Sequence, residues 1–205
     1  MISMAERGAD LQVVLDIGSY HGQFGDMIHE VWSTATVISI EANPKHQSIN
    51  PSQITALLSN QAGVWVEFFT PINNIPATGA SYKKELTQYY QNCQTTPVQT
   101  TTLDLLYQQH KWPTTWSTAG LVKLDTQGSE LEILQGSSQF LLEQQPRWIL
   151  LEASHQPYNQ DAPSATQVVC FLNQLGYKWI DVWGHLRLSN HALLQTDLLF
   201  EREPA

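Results

Sequence analysis

The chain has 205 residues, 42% of them apolar, and a formal net charge of −9 at pH 7. This length supports a single domain, 1–205, with a buried core, and the seven tryptophans and seven tyrosines argue against disorder. The acidic balance disfavours binding to a phosphate backbone, which needs lysine and arginine, so we predict a small-molecule partner and no nucleic acid. The first residues lack the apolar segment of a leader, and no apolar run reaches 18 residues, which predicts a cytoplasmic protein without membrane insertion.

Runs rich in β-branched residues alternate along the chain with helical periodicity. The predicted strands are 11–17, 36–41, 54–59, 64–69, 97–103, 120–125, 147–153, 177–182 and 193–201. Apolar residues recur at helical spacing in 22–33, 129–145 and 165–176. Strands that alternate with helices predict an α/β fold with a mostly parallel sheet. Because no helix separates the last two strands, we expect an antiparallel hairpin at one edge of the sheet.

The segment 70–96 breaks this alternation. It is rich in proline and in polar residues, and it contains several tyrosines and lysines close together in the sequence, namely Tyr82, Lys83, Lys84, Tyr89 and Tyr90. Connections of this length inside a compact domain are commonly lids or binding loops. We interpret the segment as a lid or binding loop, and a solvated excursion is the alternative interpretation.

A glycine-rich turn follows the first predicted strand, in the sequence LDIGSYHGQFG. Gly18 and Gly22 follow Asp16 in the pattern D-x-G-x-x-x-G. A dinucleotide fingerprint needs a glycine where Tyr20 stands, and a phosphate-binding P-loop needs a lysine that is absent after Gly22. In an open parallel sheet, ligands bind outside the carboxyl ends of the strands. The pattern resembles the first motif of S-adenosylmethionine-dependent methyltransferases.

This cofactor carries an ammonium, a sulfonium and a ribose diol, so strand-end carboxylates suit it better than a phosphate cradle. Asp16 can accept from the ammonium, and Glu41 at the end of the second strand can accept from both ribose hydroxyls. Ser59 and Asn60 can meet the adenine edge. The predicted cofactor-binding residues are therefore Asp16, Gly18, Ser19, Gly22, Glu41, Ala42, Ser59, Asn60 and Asp125.

A second motif lies in GLVKLDTQGSELEILQGSS, and it resembles the FkbM-type methyltransferase family. The matching positions follow the pattern Lys-x-Asp-x-x-Gly-x-Glu-x-x-x-Leu-x-Gly and are Lys123, Asp125, Gly128, Glu130, Leu134 and Gly136. The stretches DIGSYHGQF, VISIEANP and TTLDLL also resemble that family, so the likeness covers roughly 11–155. One departure is Gln127, where the family often has glutamate; we interpret it as a surface or supporting position.

The resemblance implies a Rossmann-like class I methyltransferase fold, with seven strands, the last of them antiparallel, and helices on both faces. It also implies methyl transfer to a hydroxyl oxygen of a small-molecule, sugar or lipid-like acceptor. The segment 70–96 would then be the acceptor lid.

A hydroxyl acceptor must lose its proton, so a general base is expected at the carboxyl ends of the central strands. We predict Asp125 as the first candidate and His155 as the second, with Glu152 third. Lys123 joins the catalytic set in an orienting role, because a lysine inside a strand needs a carboxylate partner. The spacing of Asp125, Glu130 and Glu152 does not require a metal, and the two distant cysteines form no zinc motif, so we predict no metal.

Two other classes of protein fit parts of the pattern. An NAD(P)-binding oxidoreductase shares the order of strand, glycine turn, helix and acidic residue, although it needs the missing glycine. A non-catalytic cofactor-binding module would keep the fold and lose its acids, whereas Asp16, Glu41 and Asp125 are all present.

Overall fold

The computed structural model of the chain describes residues 2–48, 52–72 and 77–202. Its strands are β1 (Val13–Ile17), β2 (Thr36–Glu41), β3 (Ile54–Thr55), β4 (Leu57–Leu58), β5 (Trp65–Pro71), β6 (Cys93–Thr101), β7 (Gly120–Leu124), β8 (Trp148–Ser154), β9 (Lys178–Arg187) and β10 (Leu193–Glu201). Its α-helices are α1 (Ile2–Glu6), α2 (Gln23–Val31), α3 (Leu103–Gln109), α4 (Trp116–Ala119), α5 (Glu130–Gln135), α6 (Ser138–Gln144) and α7 (Ala165–Gln174).

The central sheet has seven strands in the order β3-β2-β1-β7-β8-β10-β9. The first five are mutually parallel, whereas β10 runs antiparallel to both of its neighbours, β8 and β9. The predicted mostly parallel sheet with an antiparallel last strand is therefore confirmed. The strand order reverses between β1 and β7, and a crevice for ligands forms at such a point.

The sheet is buried on both faces, which explains the nearly continuous apolar runs of its central strands. All five residues of β1 are buried. Alternate residues of this strand enter two cores, one against α3, α5, α6 and α7 and one against α1 and α2. Asp16 has the parity of Val14, so it lies on the α2 side as a carboxylate inside an otherwise apolar strand. That exception marks the carboxyl end of β1 as a functional position.

Of the strands predicted at 54–59, 64–69 and 97–103, only the first part of 54–59 joins the central sheet. The stretch 54–59 divides into β3, which pairs with β2, and β4, which pairs with β6. The strands predicted at 64–69 and 97–103 become β5 and β6, which pair with each other in a separate three-stranded sheet. The β-propensity of their residues predicted these strands correctly. The sheet that each strand joins depends on pairing with distant parts of the chain, which a local sequence pattern does not specify.

The helical stretch 129–145 also divides, into α5 and α6, at Gly136. A Cβ on Gly136 would collide with the carbonyl oxygen of Ser59. The glycine therefore allows the loop after β4 to lie directly against the end of α5, and this contact fixes the position of that loop.

Candidate active site

A cavity of about 300 Å³ lies at the carboxyl ends of β1, β2 and β7, at the reversal of strand order. We call it the first cavity. Its lining brings together six of the residues predicted from the sequence, namely Gly18, Ser19, Glu41, Ala42, Lys123 and Asp125. The glycine turn and the second motif, which are far apart in the sequence, thus form the walls of one site.

The glycine turn is held between the ends of two neighbouring strands. The backbone N–H groups of Gly18 and Ser19 both donate to the carbonyl oxygen of Ile40, at 2.9 and 3.1 Å. Gly18 has a φ of +76°, and a Cβ there would collide with the carbonyl oxygen of Asp125. Gly22, with a φ of 92°, caps the N-terminus of α2. Because positive φ and close backbone approach both favour glycine, the spacing of this motif has a direct structural cause.

Glu41 is buried at the rim of the first cavity, and backbone donors fix its carboxylate. Its Oε2 accepts from the N–H of Tyr20 at 2.8 Å, and its Oε1 accepts from the N–H of Asn43 at 2.8 Å. Burial raises the pKa of Glu41, although these two hydrogen bonds oppose the shift. A carboxylate oxygen can accept more than one hydrogen bond, so each oxygen retains capacity for a ligand hydroxyl.

An ion-pair triad, buried at Asp16 and Lys123 and open to solvent at Asp125, joins β1 to the end of β7. The Nζ atom of Lys123 lies 3.1 Å from Oδ1 of Asp16 and 3.4 Å from Oδ2 of Asp125. Asp16 has no solvent exposure, and burial raises its pKa while Lys123 opposes that change. The Asp16 side chain lies behind Lys123 and does not line the first cavity. It therefore orients the lysine, which in turn presents Asp125 to the site.

Glu130 organises the loop that follows β7. Its carboxylate accepts from the N–H and hydroxyl of Thr126, both at 3.0 Å, and from the N–H of Gly128 at 3.1 Å. Gly128 has a φ of +98°, and a Cβ there would press on Asn159 and Ala162. Glu130 is the first residue of α5, and its side chain turns back to bind the loop that precedes that helix.

Gln127 bridges two carboxylates of the site. Its Nε2 donates to Oδ1 of Asp125 at 3.2 Å and to Oε2 of Glu152 at 2.9 Å. An amide nitrogen carries two N–H groups, so one side chain can serve both acceptors. The position predicted to be at the surface or supporting therefore contacts the first-choice base and the third-choice base at once.

A second cavity, of about 580 Å³, adjoins the first. The two share Phe24, Met27, Lys123 and Asp125. The rest of the second lining includes acids from three further strands, namely Glu152, Asp181 and Asp197. Two adjoining cavities with a charged common wall can hold two reactants side by side.

Other predicted site residues lie outside the first and second cavities. The hydroxyl of Ser59 lies 3.3 Å from a carboxylate oxygen of Glu132, and Asn60 donates to Gln135 at 3.3 Å. His155 is exposed, and its Nε2 lies 2.8 Å from the hydroxyl of Thr196. Their cofactor or catalytic roles stay predictions.

Part of the segment 70–96 covers the first cavity, with Thr78, Ala80 and Ser81 in the lining. The hydroxyl of Ser81 donates to the carbonyl oxygen of Thr126 at 3.2 Å, and Lys83 pairs with Glu132 at 2.6 Å. Residues 73–76 of the predicted lid lie outside the described part of the chain. The described part is attached to the loop and helix of the second motif.

Within the described ranges, no group of three or more histidine, cysteine, aspartate or glutamate side chains is arranged to hold a metal ion. No helix in those ranges combines the length and the apolar character needed to cross a membrane.

The strand order and the crevice at its reversal define a class I S-adenosylmethionine-dependent methyltransferase fold. The sequence model of the methyltransferase FkbM domain matches residues 16–179, and the chain therefore belongs to that family. The predicted family is confirmed, and with it the class of cofactor that the family uses.

Two solved structures share this fold. An FkbM methyltransferase from Methylobacillus flagellatus KT superposes with a TM-score of 0.51 at 15% identity, over 94% of this chain and 44% of that chain. Magnesium protoporphyrin IX methyltransferase from Synechocystis PCC 6803, solved with bound S-adenosylmethionine, gives a TM-score of 0.51 at 13% identity, over 98% of this chain and 76% of that chain. This chain thus spans less than half of the FkbM structure. No curated protein matches it in sequence.

Proposed function

We propose that this chain transfers the methyl group of S-adenosylmethionine to a hydroxyl oxygen of a small-molecule, sugar or lipid-like acceptor. The observation that carries the proposal is the wall of Lys123 and Asp125 common to two adjoining cavities. The first cavity would hold the cofactor and the second the acceptor, and a carboxylate of the second lining can remove a hydroxyl proton.

The residues of the first cavity suit this cofactor. Glu41 would accept the ribose hydroxyls, since its backbone hydrogen bonds fix both oxygens and leave them acceptor capacity. The turn at Gly18 and Ser19 would lie along the amino-acid end. When bound, S-adenosylmethionine supplies an electrophilic methyl group on a cationic sulfonium. The acids of the triad favour that positive charge.

The chain's own contribution is alignment and proton removal. In-line displacement requires the acceptor oxygen, the methyl carbon and the sulfur to be nearly collinear, and holding them so lowers the entropic barrier. The segment 70–96 would exclude water from the reaction as a lid, because Thr78, Ala80 and Ser81 already line the first cavity.

Isothermal titration calorimetry with adenosylhomocysteine and with NAD tests the cofactor. We expect binding of adenosylhomocysteine and none of NAD, because the turn lacks the glycine that a pyrophosphate needs. Incubation with methyl-labelled S-adenosylmethionine and a small-molecule extract of the source cells, followed by NMR of the labelled product, tests the acceptor atom. A product methylated on nitrogen or carbon, or NAD binding without adenosylhomocysteine binding, would contradict the proposal.

A further inference from the structure

Glu152, near the carboxyl end of β8, is held by two glutamine side chains. Its Oε2 accepts from Nε2 of Gln127 at 2.9 Å and from Nε2 of Gln195 at 2.8 Å. Gln195 is buried at the start of β10, and Gln127 stands on the loop after β7. Both amides donate to the same oxygen, so among the described residues Oε1 is left without a donor. The carboxylate is thus fixed in orientation, and its Oε1 is available to accept from a ligand.

The free oxygen belongs to a side chain of the second cavity. Glu152 lies directly opposite Asp197 in the antiparallel pairing of β8 with β10. The cavity touches the first one through Lys123 and Asp125. An acceptor in the second cavity would therefore lie between Glu152 and a methyl donor in the first cavity.

The electrostatic surroundings make Glu152 a stronger base than an ordinary glutamate. Burial raises its pKa most, the negative charges of Asp125, Glu130 and Asp197 raise it further, and Lys123 opposes them. A base whose pKa is closer to neutral accepts a proton more readily in the transition state. Hydrogen bonds from both amides stabilise the charged form of the carboxylate and so oppose this shift.

The two candidates predicted first are less suited to this task. Asp125 is ion-paired to Lys123 at 3.4 Å, accepts from Gln127 at 3.2 Å and is 44% exposed in its side chain. His155 is hydrogen-bonded to Thr196 and lines neither of the two adjoining cavities. Both oxygens of Asp125 are thus already engaged by protein partners, whereas Oε1 of Glu152 accepts from none of the described residues.

We propose that Glu152 is the general base of the methyl transfer, that Gln127 and Gln195 are its positioning residues, and that the second cavity receives the acceptor. This inference rests on the function proposed above. It replaces Asp125 as the base and gives it the role of holding Lys123 and Gln127 in place.

The step balances as follows. A lone pair of the acceptor hydroxyl oxygen forms a bond to the methyl carbon while the carbon–sulfur bond breaks, and its electron pair stays on sulfur, which becomes neutral. The hydroxyl proton passes to Oε1 of Glu152, which becomes a neutral carboxylic acid. That proton leaves to water after the methylated product departs, and the carboxylate is restored.

The lining of the second cavity also limits the acceptor. Asp125, Asp181 and Asp197 line this cavity together with Glu152, and Lys123 is the cation in the lining. An anionic acceptor would meet several negative charges in a partly buried space, whereas a neutral polyhydroxyl compound would not. The aromatic rings of Phe24 and Trp183 offer an apolar surface for the carbon skeleton of such a molecule. We therefore assign a neutral hydroxylated acceptor, without phosphate or carboxylate.

The test uses Glu152→Gln, which preserves shape and removes the basic oxygen, with the exposed Glu143→Gln as its control. The probe is methyl-labelled S-adenosylmethionine with small-molecule extract from the source cells, passed or not passed over an anion-exchange resin. We expect methyl transfer to fall about 100-fold or more in Glu152→Gln and to stay unchanged in the control. Adenosylhomocysteine binding should change less than about threefold, since Glu152 does not line the first cavity. Acceptor activity should survive removal of anions from the extract.

A second variant tests the positioning role. Asparagine tolerates the φ of 55° observed at position 127, but its side chain is one methylene shorter, so Gln127→Asn removes the hydrogen bond to Glu152. The control is Gln139→Asn at an exposed position. Loss of a donor raises the pKa of Glu152. Because the rate increases as the base ionises, the pH–rate profile of the variant should shift to higher pH than that of the wild type. Carbon-13 NMR of glutamate-labelled protein should show the same shift for the Glu152 carboxyl.

Each outcome decides between the two proposals. A wild-type rate of methyl transfer in Glu152→Gln would contradict the role of Glu152 as base. So would an unchanged pH–rate profile and an unchanged carboxyl titration in Gln127→Asn. Neither result would contradict methyl transfer itself. Activity found only in the anionic fraction would overturn the neutral acceptor. A wild type that binds no adenosylhomocysteine would overturn the proposed function and this inference together.

Discussion

Lys123→Met should destabilise the fold strongly and in a pH-dependent manner, because it leaves the Asp16 carboxylate buried without its cation. Asp16 has no solvent exposure, and its Oδ1 lies 3.1 Å from the lysine nitrogen. Among the described residues, no hydrogen-bond donor reaches Oδ2. Methionine fills the volume of the lysine stem, so the variant tests the charge rather than the packing.

Removal of one partner from a buried ion pair costs about 3–5 kcal/mol, because the other charge stays desolvated. That cost is a large part of the roughly 5–15 kcal/mol that stabilises an ordinary domain. With a urea m-value of about 2–3 kcal/mol/M, the midpoint should fall by about 1–2.5 M. Asp16→Asn should cost less, because Lys123 keeps Asp125 at 3.4 Å.

The sign of the pH dependence follows from the pKa of Asp16. Burial raises this pKa above the ordinary value of 3.8, and loss of Lys123 raises it further. Below the unfolded pKa, both states bind the proton and no charge is buried. In both proteins stability falls as pH rises through the folded pKa of Asp16, and in the variant this fall continues to a higher pKa. The deficit relative to wild type therefore grows between those two folded pKa values.

Urea unfolding followed by tryptophan fluorescence, at pH about 4.5 and about 7.5, measures the deficit, which should be larger at the higher pH. The double variant Asp16→Asn with Lys123→Met should recover much of the loss, since no unpaired charge remains. A deficit below about 1 kcal/mol at the higher pH, or the same deficit at both, would refute the assignment of a buried ion pair.

Three further variants test the glycine turn, the diol site and the second motif. Gly18→Ala should weaken adenosylhomocysteine binding at least about tenfold by calorimetry, whereas Gly63→Ala, with a φ of +82° but no collision, should carry only backbone strain of about 1 kcal/mol. Glu41→Gln should weaken the same binding about 10- to 100-fold, because it loses charge and turns a donor toward a donor, while the exposed Glu67→Gln should leave it unchanged. Gly128→Ala should lower Tm by about 5–10 °C in calorimetric scans. Unchanged affinity in the first two variants, or an unchanged Tm in the third, would count against these contacts.

The positions of strand-end acids could be predicted because the carboxyl ends of parallel strands meet at one edge of a sheet. Asp16, Glu41 and Asp125 stand at or near the ends of apolar runs, and all three lie at that edge. Their partners could not be predicted in the same way. Asp16 contacts Lys123 rather than open space, and Glu41 accepts two backbone N–H groups. The direction of a side chain at a strand end depends on neighbouring strands, which a local pattern does not specify.

The two hydrogen bonds that hold Glu152 could not be predicted from the sequence for the same reason. One of its two amides comes from β10, which enters the sheet between β8 and β9. The motif pattern instead drew attention to Gln127 as a departure. Ser59 also follows a short strand, but that strand belongs to the smaller sheet, and its hydroxyl lies 3.3 Å from a carboxylate oxygen of Glu132.

The insertion of β10 has a consequence for how such proteins can diversify. Because β10 is antiparallel to β8, the start of β10 lies beside the carboxyl end of β8. Gln195 and Asp197, which come late in the sequence, therefore lie at the edge of the sheet that holds the two cavities. These residues, together with Asp181 on β9, fall after the region 16–179 that defines the family. If the second cavity receives the acceptor as proposed, part of its wall therefore comes from the final hairpin, whereas the residues that line the first cavity all lie within 16–179. Substitutions in that hairpin would then change the acceptor wall and leave the lining of the first cavity intact.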